Sequence, residues 1–316
     1  MIWGINALNH GSSLAVFDSY TGRLLDWAVC AGDELDQELV RKHIANGGPD
    51  HIYWYENPWL KKTRQIYAAQ WSSVGDWSVM PRAYLKRANL AYAELHYTPH
   101  HGSHAAAGYY TSPFNHAAVV VLDAIGEWDC ASIWSASHGE MRKVWQARYP
   151  NSLGLLYSAF TKLVGLEPIR QEHIFQQMSL QGNPDRYYRD VLDYVLPTIR
   201  LQKNLHRGVL DWPHSMESLQ DQCDIAAAVQ AVFERNIDCV MQLAKRLTGA
   251  DSLVYMGGCA MNSLANQRVV ENQWKYIWSL PQPGDPSSAI GAVLYHTKHR
   301  VWDYKWPAVK HIAIKT

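Results

Sequence analysis

The chain has 316 residues, 29 Lys plus Arg against 29 Asp plus Glu, and a formal net charge of zero, so no global field draws it to nucleic acid or to an anionic membrane. A chain this long can bury one large core or two medium ones. Its five cysteines (Cys30, Cys130, Cys223, Cys239, Cys259) are scattered and never spaced as CxxC, which argues against a disulfide frame or a cysteine-bound zinc. No apolar run approaches the roughly 20 residues of a membrane span. The chain is therefore read as a cytoplasmic globular protein with no membrane partner.

Taken in order, residues 2–30, IWGINALNHGSSLAVFDSYTGRLLDWAVC, read as strand, polar turn, strand, Gly turn, strand. The next distinctive stretch, 53–92, holds nine Trp or Tyr, six Lys or Arg and two acids, a composition unlike its surroundings that reads as an insertion or lid. Histidines then crowd into LHYTPHHGSHAAAGYY, residues 95–110. Pro99 suits the first turn of a helix, which puts His100 and His104 on one face, about 6 Å apart at Cβ. Two imidazoles at that spacing can share a divalent metal if a third ligand arrives from elsewhere. Pairs of this kind are also common as surface or capping histidines.

Residues 118–146, AVVVLDAIGEWDCASIWSASHGEMRKVWQ, repeat the three-strand layout of the first segment. That repetition predicts a duplicated two-lobe α/β architecture. Helices follow over 152–165, opened by an Asn151/Ser152 cap signal, and over 221–248. SLVYMGG reads as a buried strand, CAMNSLANQRVVEN as the helix after it, YIWSL as a last strand, and SSAIGAVLYHTKH as a last helix behind PQPGDP. Strand, Gly-rich turn and helix in that order put backbone N–H groups around phosphate in other α/β folds.

Six segments together are similar to the O-carbamoyltransferases, the family of nodulation protein U and the cephamycin and aminoglycoside carbamoyltransferases. They are GINALNHGSSLAVF, HHGSHAAAGYYTSPF, VVVLDAIGEW, PNSLGLLYSAFTKLVGL, VYMGGCAMNSLANQRV and PQPGDPSSAIGAVLYH. The resemblance implies the fold of the tRNA threonylcarbamoyladenosine synthase, a duplicated two-lobe actin, sugar-kinase and heat-shock-ATPase-like α/β fold with a cleft between lobes. The first lobe would be 1–116, with the 53–92 insert and the HHxxH helix, and the second 117–316, with Gly turns for nucleotide.

It also implies a divalent metal held by His100, His104 and Asp285, iron by family, with manganese or magnesium as alternatives. ATP, carbamoyl-adenylate and carbamoyl phosphate would be the donor-side ligands. Gly257, Gly258, Asn262 and Ser12 would line the nucleotide. Asp123 is the first candidate for contacting the carbamoyl group or its acceptor, and His10 the second, although a turn aspartate ordinarily caps its own loop.

Three departures stand out. The DGxGE glycine is Ala124, where a left-handed backbone would be strained. EHIFQQMSLQGNP replaces a lysine-containing family segment. The resemblance also stops short of the second family domain, which makes carbamoyl-adenylate. The donor would then come from a separate adenylate-forming protein or from this domain itself, unless the chain is a fragment or a non-catalytic remnant acting as a nucleotide-binding partner. For the acceptor, the interleaved rings and cations of 53–92 favour a flipped or single-stranded 5-hydroxymethylcytosine in DNA, with a sugar or natural-product hydroxyl as the alternative.

Overall fold

The computed structural model describes residues 1–9, 11–196 and 199–306. His10 and the last ten positions of the expected second lobe thus lie outside the described residues. The first half contains β1 (Ile2–Asn9), β2 (Gly11–Phe17) and β3 (Leu24–Cys30), an antiparallel meander. Helix α1 (Gln37–Ala45) follows, its N-terminus capped by the Asp36 carboxylate, which accepts from the Glu38 and Leu39 N–H groups. Strand β4 (His51–Trp54) lies parallel to β1. The aromatic segment folds as β4 and three short helices, α2 (Pro58–Tyr67), α3 (Trp71–Gly75) and α4 (Pro81–Arg87). Edge strand β5 (Glu94–Tyr97) runs parallel to β4 and leads into α5 (His100–Thr111).

The second half repeats the scheme with β6 (His116–Gly126), β7 (Asp129–Ser137) and β8 (Glu140–Arg148). Helix α6 (Leu153–Leu163) starts at Ser152, whose hydroxyl accepts from the Leu155 N–H at 3.0 Å. Then come α7 (Glu172–Met178), α8 (Tyr188–Leu192), the short pair β9 (Val195–Leu196) and β10 (Arg200–Leu201), and the 30-residue α9 (Leu219–Thr248). Strand β11 (Ser252–Met256) pairs parallel with β6, and β12 (Tyr276–Trp278) with β11. The last helix among the described residues is α12 (Ser288–Thr297).

The protein is thus α/β, with two five-stranded mixed sheets ordered β3-β2-β1-β4-β5 and β12-β11-β6-β7-β8. Read outward from the end of each meander, both follow third, second, first, fourth, fifth. Strand β6 shows why its sequence is an unbroken apolar run: both faces are covered. Ala118, Val120 and Leu122 pack with α6 and α9, while Ala117, Val119 and Val121 pack with α5.

Helices α5 and α12 fill the space between the sheets, and every residue of α5 is buried. Their crossing depends on glycine, since a Cβ on Gly291 would lie 1.7 Å from the Ser103 carbonyl oxygen.

The expected helix over CAMNSLANQRVVEN is broken into a 3-10 turn (Gly258–Met261), α10 (Ser263–Ala265), a π turn (Asn266–Val270) and α11 (Glu271–Gln273). Gly257, at φ +94°, turns the chain hard against β6. Asn262 then starts the helix afresh, its side-chain oxygen accepting from the Ala265 N–H.

Candidate metal centre

Four side chains from separated parts of the sequence meet where the two sheets face each other. His100 opens α5 directly after Pro99, which is the N-cap and not a first-turn residue, and His104 follows one turn later. Asp123 projects from the end of β6, where the register with β7 breaks between Leu122 and Gly126. Such bulges re-aim side chains beside functional sites. Asp285 comes from the 3-10 turn that leads into α12.

The Nε2 atoms of His100 and His104 are 3.1 Å apart. Asp123 Oδ2 lies 3.0 Å from His100 Nε2 and 3.8 Å from His104 Nε2. Asp285 Oδ1 lies 3.5 Å and 3.4 Å from the same two nitrogens. All four donors fall within 4.8 Å of one another.

The donor set fits a divalent transition metal. With metal–ligand bonds near 2.1 Å, neighbouring ligand atoms around one ion are separated by about 3.0–3.6 Å, close to the spacings here. Two imidazole nitrogens facing each other in a buried site also need a cation or a proton between them.

The charges respond accordingly. Burial alone would depress His100, but its hydrogen bond to Asp123 and the charges of Asp285, Asp123 and Glu56 outweigh it and lift the ring to about 9. Burial likewise opposes ionisation of Asp123, yet the hydrogen bond from His100 and the nearby imidazoles hold its carboxyl well below the usual range. Asp285 is lowered for the same balance of reasons. His101 faces away; burial and His100 keep it neutral, with Nδ1 at 2.8 Å from Ser132 Oγ.

The surrounding residues fix these donors. Asn9, at the end of β1, donates its side-chain N–H to Asp285 Oδ2 at 2.8 Å, and the Ser13 hydroxyl donates to the Pro286 carbonyl at 2.7 Å. The Gly258 N–H donates to Asp123 Oδ1 at 3.2 Å, so both oxygens of that carboxylate are engaged. Gly126 is required sterically, because a Cβ there would sit 2.1 Å from His100 Cδ2.

Glu127, left-handed at φ +54°, accepts from the backbone N–H of His100 and from that of Asn57, the N-cap of α2. Burial pushes its carboxyl up to about 7 against those two donors. Ala124 is not left-handed, and the residue of positive φ in this turn is Glu127.

The expected site residues fall into three groups. His100, His104 and Asp285 come together, and Asp123 joins them as a fourth donor. Gly257 and Gly258 form the turn behind Asp123. The Ser12 hydroxyl donates instead to the Gly32 and Glu34 carbonyls, and the Asn262 amide forms a reciprocal pair with Gln230 at 3.0 Å. Both side chains are held by the protein's own groups. The sequence signal for Asn9, Ser13, Gly126 and Glu127 is the pair of turn segments NHGSS and GEW that hold them. Two open hollows of about 410 and 460 Å³ lie away from the cluster, lined around Arg235 and around Arg148.

The profile of the carbamoyltransferase N-terminus family matches residues 51–294. The chain belongs to that family. All four donors fall inside the match, whereas Asn9 and Ser13 precede it. The chain is 34% identical over 222 residues to the uncharacterized protein sll1178 of Synechocystis, covering 63% of this chain and 36% of that protein. It is 25% identical to nodulation protein NolNO of Sinorhizobium fredii, over 64% of this chain and 31% of the relative. Nodulation protein NolO of Bradyrhizobium diazoefficiens is 25% identical over 62% of this chain and 37% of its own length. The matches thus span between about a third and two-fifths of these relatives. No described helix is long and apolar enough to cross a membrane.

Proposed function

We propose that this carbamoyltransferase-family chain moves a carbamoyl group from an ATP-derived carbamoyl-adenylate, itself formed from carbamoyl phosphate, to a hydroxyl. The observation that carries this reading is the convergence of His100, His104, Asp123 and Asp285, within a family match that includes them all. The identical strand order of the two sheets supports the duplicated, actin-like two-lobe reading.

His100, His104, Asp123 and Asp285 would hold a divalent cation, iron by family resemblance. Bound there, it supplies Lewis-acid stabilisation of charge on the donor's phosphate oxygens. The chain's own groups set the geometry. Asn9 orients Asp285, Gly258 orients Asp123, and Glu127 holds the first turn of α5. The acceptor oxygen attacks the carbamoyl carbon, the bond from that carbon to the phosphate oxygen breaks, and AMP leaves as an anion. The acceptor's proton passes to a base. His10, next in sequence to Asn9, is the residue we propose for that step.

The acceptor reading shifts with the insert. Lys61 pairs with Glu56, and Lys62 Nζ donates to the Val74 and Asp76 carbonyls. Arg64 is buried beside Gln70, Arg82 bonds Tyr97, and Arg87 pairs with Glu34. Five of the insert's six cations therefore have internal partners, which weakens a grip on nucleic-acid phosphates. Trp59, Trp71 and Trp77 stay exposed, and α2 meets the site through Asn57–Glu127 and Thr63–Trp128. Exposed rings with few free cations suit an acceptor without phosphates, so we favour a sugar or natural-product hydroxyl. The same indoles keep 5-hydroxymethylcytosine as the second reading.

The test incubates the protein with ATP, carbamoyl phosphate and ferrous or manganous ion, with and without an added adenylate-forming domain. Acceptors are an aminoglycoside and a hydroxymethylcytosine oligonucleotide. A gain of one carbamoyl mass on the aminoglycoside alone supports the favoured reading, and on the oligonucleotide alone the second. Nucleotide binding without transfer in any arm leaves a non-enzymatic nucleotide-binding partner and defeats the proposal.

A further inference from the structure

A second group of metal-type donors lies on the first sheet, at the entry ends of β4 and β5. The main cluster follows the exit end of β5. The parallel register sets His51 opposite Glu94 and Tyr53 opposite His96. All four side chains therefore share one face of the sheet. His51 Nδ1 lies 3.5 Å and His96 Nε2 3.2 Å from the same oxygen, Oε2 of Glu94. The three donor atoms fall within 4.8 Å of one another.

Neither nitrogen meets any group in hydrogen-bonding geometry, although both atoms are buried. The rings are held in place. His96 stacks on Tyr53 at 4.5 Å between centroids and on His51 at 5.8 Å. On the far side His296, from α12, bonds the Thr98 hydroxyl at 3.1 Å.

From this geometry we infer that His51, Glu94 and His96 form a second, separate site for a borderline transition-metal ion such as Zn²⁺. Two imidazoles and one carboxylate are a zinc-type ligand set. Magnesium and calcium, which take mostly oxygen ligands, do not suit it. The Glu94 side of the group is exposed, so water can take the fourth position. Bound there, the ion cross-links edge strand β5 to β4, just upstream of the helix that carries His100 and His104. This inference does not rest on carbamoyl transfer, and either can fail alone.

The test equilibrates chelator-treated protein with Zn²⁺ by dialysis and counts bound metal by mass spectrometry. The double variant His51→Ala/His96→Ala should bind one equivalent fewer than wild type, whatever the main cluster retains. Glu94→Gln, a near-isosteric change at an exposed position, removes a direct ligand and should weaken that same equivalent by at least about 10-fold, the lower bound for losing even an outer hydrogen bond. In nitrogen-15 spectra, the His51 and His96 ring signals should shift on Zn²⁺ addition. Equal stoichiometry and affinity in wild type and the double variant, or ring signals that do not move, overturn the inference.

Discussion

The two sheets share a strand order, but the ends of their equivalent first strands do different work. Strand β6 carries Asp123 near its end and is followed by Glu127, carboxylates that face the histidine pair or hold its helix. Strand β1 ends in Asn9, a neutral amide that orients Asp285. At these two strand ends, one supplies charge and the other supplies aim. An acid at the β1 position would be a third carboxylate beside two buried imidazoles, more negative charge than they can offset. Duplicated topology does not require duplicated chemistry.

That contrast can be broken at four points, in order of expected effect. Asp123→Asn removes charge at the β6 end; we expect a loss of transfer on the order of 10³-fold, with weaker retention of ferrous or manganous ion, read by assay and metal analysis. Unchanged metal binding would place Asp123 outside the ligand set.

The second test concerns how each sheet meets its helix. A Cβ on Gly4 would lie 1.8 Å from the Ala289 carbonyl oxygen, which is backbone and cannot yield. A Cβ on Gly108 would meet side chains, Val254 Cγ1 at 2.4 Å and Met256 Cγ at 2.6 Å. Gly4→Ala should cost about 3 kcal/mol. Gly108→Ala should cost about 1 kcal/mol, since alanine's helix propensity offsets part of the clash. Urea denaturation of the two variants gives the order directly.

Third, Asn9→Ala should leave the four donors in place and lower metal affinity about 10- to 100-fold, the usual effect of losing an outer hydrogen bond. An effect as large as that of Asp123→Asn would mean that the amide itself ligates.

The smallest effect lies in the helix caps behind the sheets. Helix α9 begins with a reciprocal Ser218–Asp221 capping box, and α1 with Asp36 alone. Ser218→Ala should cost about 1 kcal/mol. The Ser218 hydroxyl and N–H, with Arg186, hold the Asp221 carboxyl at about 2. A lowered folded value means that its contribution is present above the ordinary carboxylate range and lost as pH falls through about 2. In Ser218→Ala the folded value moves back toward the ordinary one, so this contribution should be smaller and its loss complete at a higher pH, visible in an acid titration followed by circular dichroism.

Much of this was legible in the residues. Both meanders follow from alternating apolar runs and Gly turns, and the i, i+4 histidines follow from helix geometry. The pairing of these with Asp285 came from the family motifs, not from spacing. Less legible was the segment after β11: it reads as one helix because propensity is local, while Gly257 and Asn262 interrupt it through contacts with β6 and Gln230. The insert's cations read as free for the same reason, since composition does not report that Lys62 is held by carbonyls of its own helical layer.

The sequence by itself determined the strand and helix types, the repeated three-strand layout and the family, because each depends on short-range periodicity or on ordered motifs. Only the tertiary structure decided that Asp123 stands beside the imidazoles, that Ser12 and Asn262 turn inward, and that His51, Glu94 and His96 share one face. Those outcomes depend on register and on the crossing of α5 with α12, and both are set by close backbone approach between segments far apart in the chain.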